Sequence, residues 1–165
     1  MSRRSYVDLA LKAAAVVLFI GAVATGGQAV NGESGQAVNG VNRDRSGLAI
    51  DGYDPVAYFV EAAPVPGRRD LTVIIDGTIY RFVNSANRDR FRQAPSQFLP
   101  QFGGYCAYAV SRGYTADIDP EAWKIVDGKL YLNYSKRAQR LWEEDVPGNI
   151  RKGDANWPDL RNKRQ

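Results

Sequence analysis

The sequence predicts an α+β domain: a small antiparallel sheet built from two β-hairpins, each followed by a helix. Three observations carry this expectation. β-rich runs flank Asp76-Gly77 in LTVIIDGTIYRFV and Asp127-Gly128 in VDGKLYLNYS, and Asp-Gly suits a tight hairpin turn needing positive φ. Each hairpin precedes a segment with Ser85 or Ser135 near its start and apolar residues at helical spacing. A tyrosine, Tyr80 or Tyr131, stands three residues after each turn glycine. The second cycle therefore looks like the first, and both an internal structural repeat and the chance recurrence of two common motifs stand open.

The elements follow in order. Residues 1 to 24 read as an export signal, with Arg3, Arg4 and Lys12 ahead of or within an apolar run over 13 to 23, and AVA or the later GQA as cleavage sites. An uncleaved N-terminal anchor is the alternative, although a spanning helix needs roughly 20 predominantly apolar residues. SRRSYVD is similar to a twin-arginine export signal, so the export route stays open. The expected location is the bacterial periplasm, or the inner membrane facing it, with transient membrane contact through this segment.

Residues 25 to 47, in which GQAVNG occurs twice, read as a flexible spacer because Gly, Asn and Gln bury too little surface to offset their ordering. The folded part is expected over 48 to 160, with a basic tail at 161 to 165. In DGYDPVAYF, Asp54 is placed to cap a helix over 55 to 60 with Pro55 first. Pro64, Pro66 and Gly67 make a loop before the first hairpin. In NSANRDRFRQAP, Ser85 is a cap, Ala86, Arg90 and Phe91 share one face, and Pro95 ends the helix. A short helical turn, a glycine break and a helix over about 104 to 111 follow, stopped by Gly113. DPEAW at 119 to 123 parallels DPVAY at 54 to 58. The last expected helix runs over 135 to 145, with Ala138, Leu141 and Trp142 on its apolar side and Pro147-Gly148 as its stop.

Together, GYDPVAYF, DGTIYRFVNSANRDRF, PSQFLPQFGGYCAYAV, DPEAWKIVDGKLYLNYS and NWPDL resemble the YHS-domain family in its small exported form, over residues 50 to 160. Better understood members of that family resemble metal-binding modules that hold soft ions through cysteines. The resemblance places those cysteines at Ala57, Val83 and Asn87, so all three are missing here, while Asp54, Pro55, Gly77, Tyr80, Phe82, Phe91 and Pro95 keep the framework. It implies the fold without the metal function.

Ligand chemistry agrees. The chain has one Cys, one Met and no His, which excludes a disulfide framework and a His-assisted nucleophile and leaves a poor set of soft-metal donors. Asp54, Asp76, Asp119 and Asp127 sit at expected caps and turns, where structure accounts for them. Without residues 1 to 24 the chain carries 19 basic against 17 acidic residues, a net charge of +2, so nucleic acid is not an expected partner. Cys106 reads either as a packed small hydrophobe or as a thiolate favoured by a helix starting near Gly104. Tyr58, Tyr80, Tyr105 and Tyr108 with Cys106 make a candidate ligand pocket, since buried phenols need partners. No catalytic residue and no cofactor are expected, and Cys106 is the one metal candidate. The resulting expectation is an exported, non-enzymatic binding or accessory module for a small ligand or a protein. The alternative is a copper, zinc or redox-responsive protein acting through Cys106. Oligomeric state stays open.

Overall fold

Asp-Gly chemistry decides the two hairpins. Asp76 and Gly77 have φ of 47° and 71°, and Asp127 and Gly128 have 50° and 70°. These left-handed pairs match the right-handed twist of the strands they join. The structure, a computed structural model, describes residues 40 to 163. The expected leader and most of the expected spacer lie outside the described residues. The chain divides into two units, residues 1 to 33 and 34 to 165, and every described residue belongs to the second.

Four strands form two antiparallel pairs, β1 (Arg68–Ile75) with β2 (Thr78–Phe82) and β3 (Asp119–Val126) with β4 (Lys129–Asn133). The hairpins stay separate sheets. Short helices α1 (Ala57–Val60) and α4 (Ala107–Ser111) precede them, and α2 (Ser85–Gln93) and α5 (Lys136–Glu143) follow. A further turn of helix, α3 (Pro95–Phe98), links the halves, and α6 (Val146–Leu160) closes the chain. Among the described residues no helix is long and apolar enough to cross a membrane.

The recurrence is structural. Equivalent features lie 51 residues apart: turns Asp76-Gly77 and Asp127-Gly128, caps Asn84 and Ser135, buried aromatics Phe91 and Trp142. Both hairpins shift register at the same place, between Arg68 and Thr72 and between Asp119 and Trp123. Tyr80 meets Phe91 with ring centroids 5.1 Å apart, and Tyr131 meets Trp142 at the same 5.1 Å. A left-handed turn also precedes each short helix: Asp51-Gly52 (φ 50° and 82°) and Phe102-Gly103 (φ 53° and 61°).

Several local expectations need correction. DPEAW aligns with Arg68 to Thr72, not with DPVAY, and is strand; Pro120 is tolerated there because it stands second in β3, ahead of the register shift. Asn84, not Ser85, caps α2 by accepting from Asn87 N–H at 2.8 Å, and only Phe91 of the expected apolar face is buried, Ala86 and Arg90 being exposed. The helix expected from Gly104 starts at Ala107, because Gly103 and Gly104 both hold positive φ. Pro147-Gly148 does not end a helix but opens α6. Asp145 accepts from Gly148 N–H at 2.9 Å, and proline in a first turn lacks only a donor that has no partner there.

The fold also begins before Leu48. Asn42 N–H donates to Gly103 O at 2.9 Å and its side chain to Gly104 O at 3.1 Å. Asp44 accepts from Ser46 and Leu48 N–H groups at 2.8 and 2.9 Å. At the other end Arg161, expected in the basic tail, is joined to α6 through its N–H to Trp157 O at 2.9 Å.

Two cores result, and β4 is the wall between them. Leu130 and Leu132 face a first core of Val56, Tyr58, Tyr80, Phe82 and Phe91. Tyr131 faces a second, with Phe102, Val110, Trp142 and Leu160. The period of two along a strand sends alternate side chains to opposite faces, so a strand covered on both sides is apolar throughout.

Candidate functional site

The positions where the family resemblance places metal cysteines meet at one buried carboxylate. Asp54 is fully buried. Its Oδ1 accepts from the N–H groups of Val56 at 2.8 Å and Ala57 at 3.3 Å. Its Oδ2 accepts from Val83 N–H and Asn87 Nδ2, both at 2.9 Å. Ala57, distant in sequence from the neighbouring Val83 and Asn87, thus meets them around one side chain, and the four donors satisfy a charge that burial would otherwise penalise. The arrangement ties α1 to the end of β2 and to α2, and it accounts for Asp54 as a structural group.

The second half makes the corresponding tie from the strand side. Asn133, at the end of β4 and fully buried, accepts from Tyr108 N–H at 3.1 Å, and the Cys106 thiol donates to the same oxygen at 3.8 Å. Cys106 caps α4, its sulfur accepting from Ala109 N–H at 3.5 Å, and is 1% exposed.

Of the five residues read from the sequence as one pocket, the four tyrosines are divided between the two cores. Tyr58 and Tyr80 lie in the first, Tyr105 in the second, and half-buried Tyr108 packs against the second. β4 separates the groups. The phenols find separate solutions to their burial. Tyr58 donates to Pro120 O at 3.0 Å, and burial pushes its pKa well above the ordinary phenol value. Burial also pushes Tyr80 up to about 12. Tyr108 lies under Arg112, whose guanidinium carbon is 5.0 Å from the ring centre.

A cleft elsewhere was not legible from the sequence. It is lined by Asn42, Arg43, Asp44 and Arg45 from the segment ahead of the first hairpin and by Asp51 and Asp117, with Leu48, Ile50 and Ile118 supplying apolar surface. Its volume is about 460 Å³, inside the roughly 300 to 1,000 Å³ typical of small-molecule sites. Ile50 and Asp51 stand at consecutive positive φ, 52° and 50°, a conformation costly for a β-branched residue. Asp51 has its carboxyl pushed above the usual range by burial and by the charges of Asp117, Asp44 and Asp119.

Comparison of the two halves explains why this place is open. The equivalent of Asp51 is Phe102, which is buried against α6: Trp157 lies 6.0 Å away, ring to ring, and a Cβ at Gly153 would fall 2.5 Å from Phe102. Gly40 covers the neighbouring Gly103 so closely that a Cβ there would lie 1.7 Å from Gly40 O. The first half has the same left-handed turn with an exposed aspartate in place of the buried ring.

Among the described residues no group of three or more His, Cys, Asp or Glu side chains is placed to hold a metal ion. No protein-family model, curated protein or solved structure matches the chain.

Proposed function

We propose that this chain is an exported, YHS-like binding module without enzymatic activity, and that its ligand sits in the cleft over the Asp51 turn. The observation that carries the reading is the difference between the two halves. One left-handed turn is sealed by α6 and Gly40, while its counterpart opens into a cleft with charged walls and apolar surface. The meeting of Ala57, Val83 and Asn87 at Asp54 supports the likeness to YHS domains, because positions that hold one ion in a relative must be neighbours in space. The same carboxylate and its donors now occupy that neighbourhood.

Ligand-observed NMR of a charged-fragment library against the wild-type chain and Asp117→Trp tests the proposal. Asp117 is exposed, so the indole fills the cleft without entering a core. Fragment binding should disappear in the variant while its melting temperature stays close to wild type. Binding that survives Asp117→Trp unchanged would overturn the assignment.

A further inference from the structure

Residues 40 to 43 join the second half to the cleft. Asn42 makes the tie: its N–H donates to Gly103 O at 2.9 Å and its side chain to Gly104 O at 3.1 Å. Gly40 packs against Gly103, leaving no room for a side chain there. Asn42 and Arg43 then line the cleft, as do Ile50 and Asp51 of the first half and Asp117 and Ile118 of the second. From Asp44 the chain turns back on itself. Asp44 Oδ1 accepts from the N–H groups of Ser46 and Leu48, Asp44 N–H donates to Leu48 O at 3.0 Å, and Arg43 bridges to Ala49. Past this turn the chain is fixed to β2, with Ile79 N–H donating to Gly47 O at 2.8 Å and Ala49 N–H to Ile79 O at 3.0 Å.

The two ends are unequally held. Ala49 and Ile50 are buried in the first core, whereas no residue from 40 to 47 is buried or belongs to either core. Arg43 reaches Thr78 Oγ1 only at 3.4 Å. Local opening costs least where few apolar contacts are buried and hydrogen bonds lie near solvent. Asn42 is thus free to part from Gly103 and Gly104 while both cores stay closed.

We propose that residues 40 to 43 form a strap that docks on the second half to complete the cleft and undocks, hinging at the Asp44 turn, to admit and release ligand. Contacts from ligand to Asn42 and Arg43 exist only with the strap docked, so ligand favours the docked state. The inference rests on the assignment of the cleft as the ligand site and adds how access to it is controlled.

Amide hydrogen exchange of the full-length chain, read residue by residue by NMR and corrected for intrinsic rates, tests it. Asn42 N–H should exchange about 100-fold or more faster than Ala49 N–H, because each is bonded to a backbone carbonyl but only Ala49 is held by a core. In Asn42→Ala, protection at position 42 should fall roughly three- to tenfold further, the size expected for one lost hydrogen bond, with Ala49 and Val110 unchanged. Charged fragments that bind in the ligand-observed screen should slow exchange at Asn42 and leave Val110 unaffected. Equal protection at Asn42 and Ala49, or protection that Asn42→Ala leaves unchanged, would overturn the docking strap. Fast exchange at Asn42 that bound fragments do not slow would overturn its control of the cleft, which Asp117→Trp then judges separately. Failure of every fragment to bind would count against the cleft itself, the ratio of Asn42 to Ala49 still deciding whether the strap opens.

Discussion

Asn87 Nδ2 donates to Asp54 Oδ2 at 2.9 Å in the interior of the first half, and this bond closes a ring of four donors around one carboxylate. No cation lies among those partners, so the donors alone must compensate the buried charge. Removing the acceptor leaves four donors to be satisfied, three of them backbone N–H groups. Asp54→Ala should therefore cost about 3 to 5 kcal/mol in urea unfolding. Asp54→Asn keeps one oxygen but turns an NH₂ toward donors, and an intermediate loss is expected. A loss below about 1 kcal/mol for Asp54→Ala would mean that the ring is not a structural centre.

Trp142 and Phe91 occupy equivalent places in the two halves, but only Trp142 carries a buried N–H with no protein partner, at Nε1. Trp142→Phe removes volume and that unpaired donor together. It should cost under about 1.5 kcal/mol, whereas Trp142→Ala should cost about 3 to 5 kcal/mol. Equal costs for the two variants would show that the indole nitrogen has a partner in solution.

Burial and its two hydrogen bonds make Cys106 a cap and core residue. Its thiol should react with a disulfide reagent only as fast as the domain opens, far more slowly than after denaturation. Cys106→Ser should remain folded, since serine is a stronger helix cap than cysteine. Rapid modification in the native state would reinstate the reactive-thiol alternative.

The cleft also has a pH signature. Asp51 is held above the ordinary carboxylate range by burial and neighbouring acidic charge. A raised acid favours folding below its unfolded value and loses that contribution as pH rises through its folded value. Asp51 is only partly shielded, so solvent screens the interaction and the effect is small. Asp51→Asn should raise the neutral-pH melting temperature slightly, helped by the tolerance of asparagine for positive φ. Thermal melts across the acid range check it; a variant less stable than wild type at neutral pH would contradict the sign.

At the alkaline end, burial pushes Tyr80 up to about 12. Its contribution is complete below the ordinary phenol value near about 10 and is lost as pH rises through the folded value. Stability should fall across that interval, and Tyr80→Phe should fall less steeply. Identical slopes for the two proteins would assign the loss to other groups.

What the sequence reveals is mostly local chemistry. Asp-Gly turns act within a few residues, so the hairpins were legible, whereas the helix expected from Pro55 starts only at Ala57, with Val56 and not Asp54 at its N-cap. Pro147-Gly148 was not legible, because proline opening a helix and proline after one look alike until Asp145 is seen to cap the next turn. The residues from Gly40 to Gly47 have a linker's composition, yet backbone hydrogen bonds to Gly103 and Ile79 hold that segment, and composition does not report backbone partners. The tyrosines suggested a shared pocket only while the alternation of Leu130, Tyr131 and Leu132 across β4 was unknown. The cleft was hidden for a related reason: it exists where α6 does not cover the first copy of a repeated turn.

The most direct test is an amide shift map of the isotopically labelled full-length chain during titration with the charged fragments that bind it in the ligand-observed screen. The account predicts perturbations clustered at Leu48, Ile50, Asp51, Asp117 and Ile118, with Phe102 and Gly103 unmoved. Perturbations centred on Tyr105, Cys106 and Tyr108, with the Asp51 turn unaffected, would contradict it.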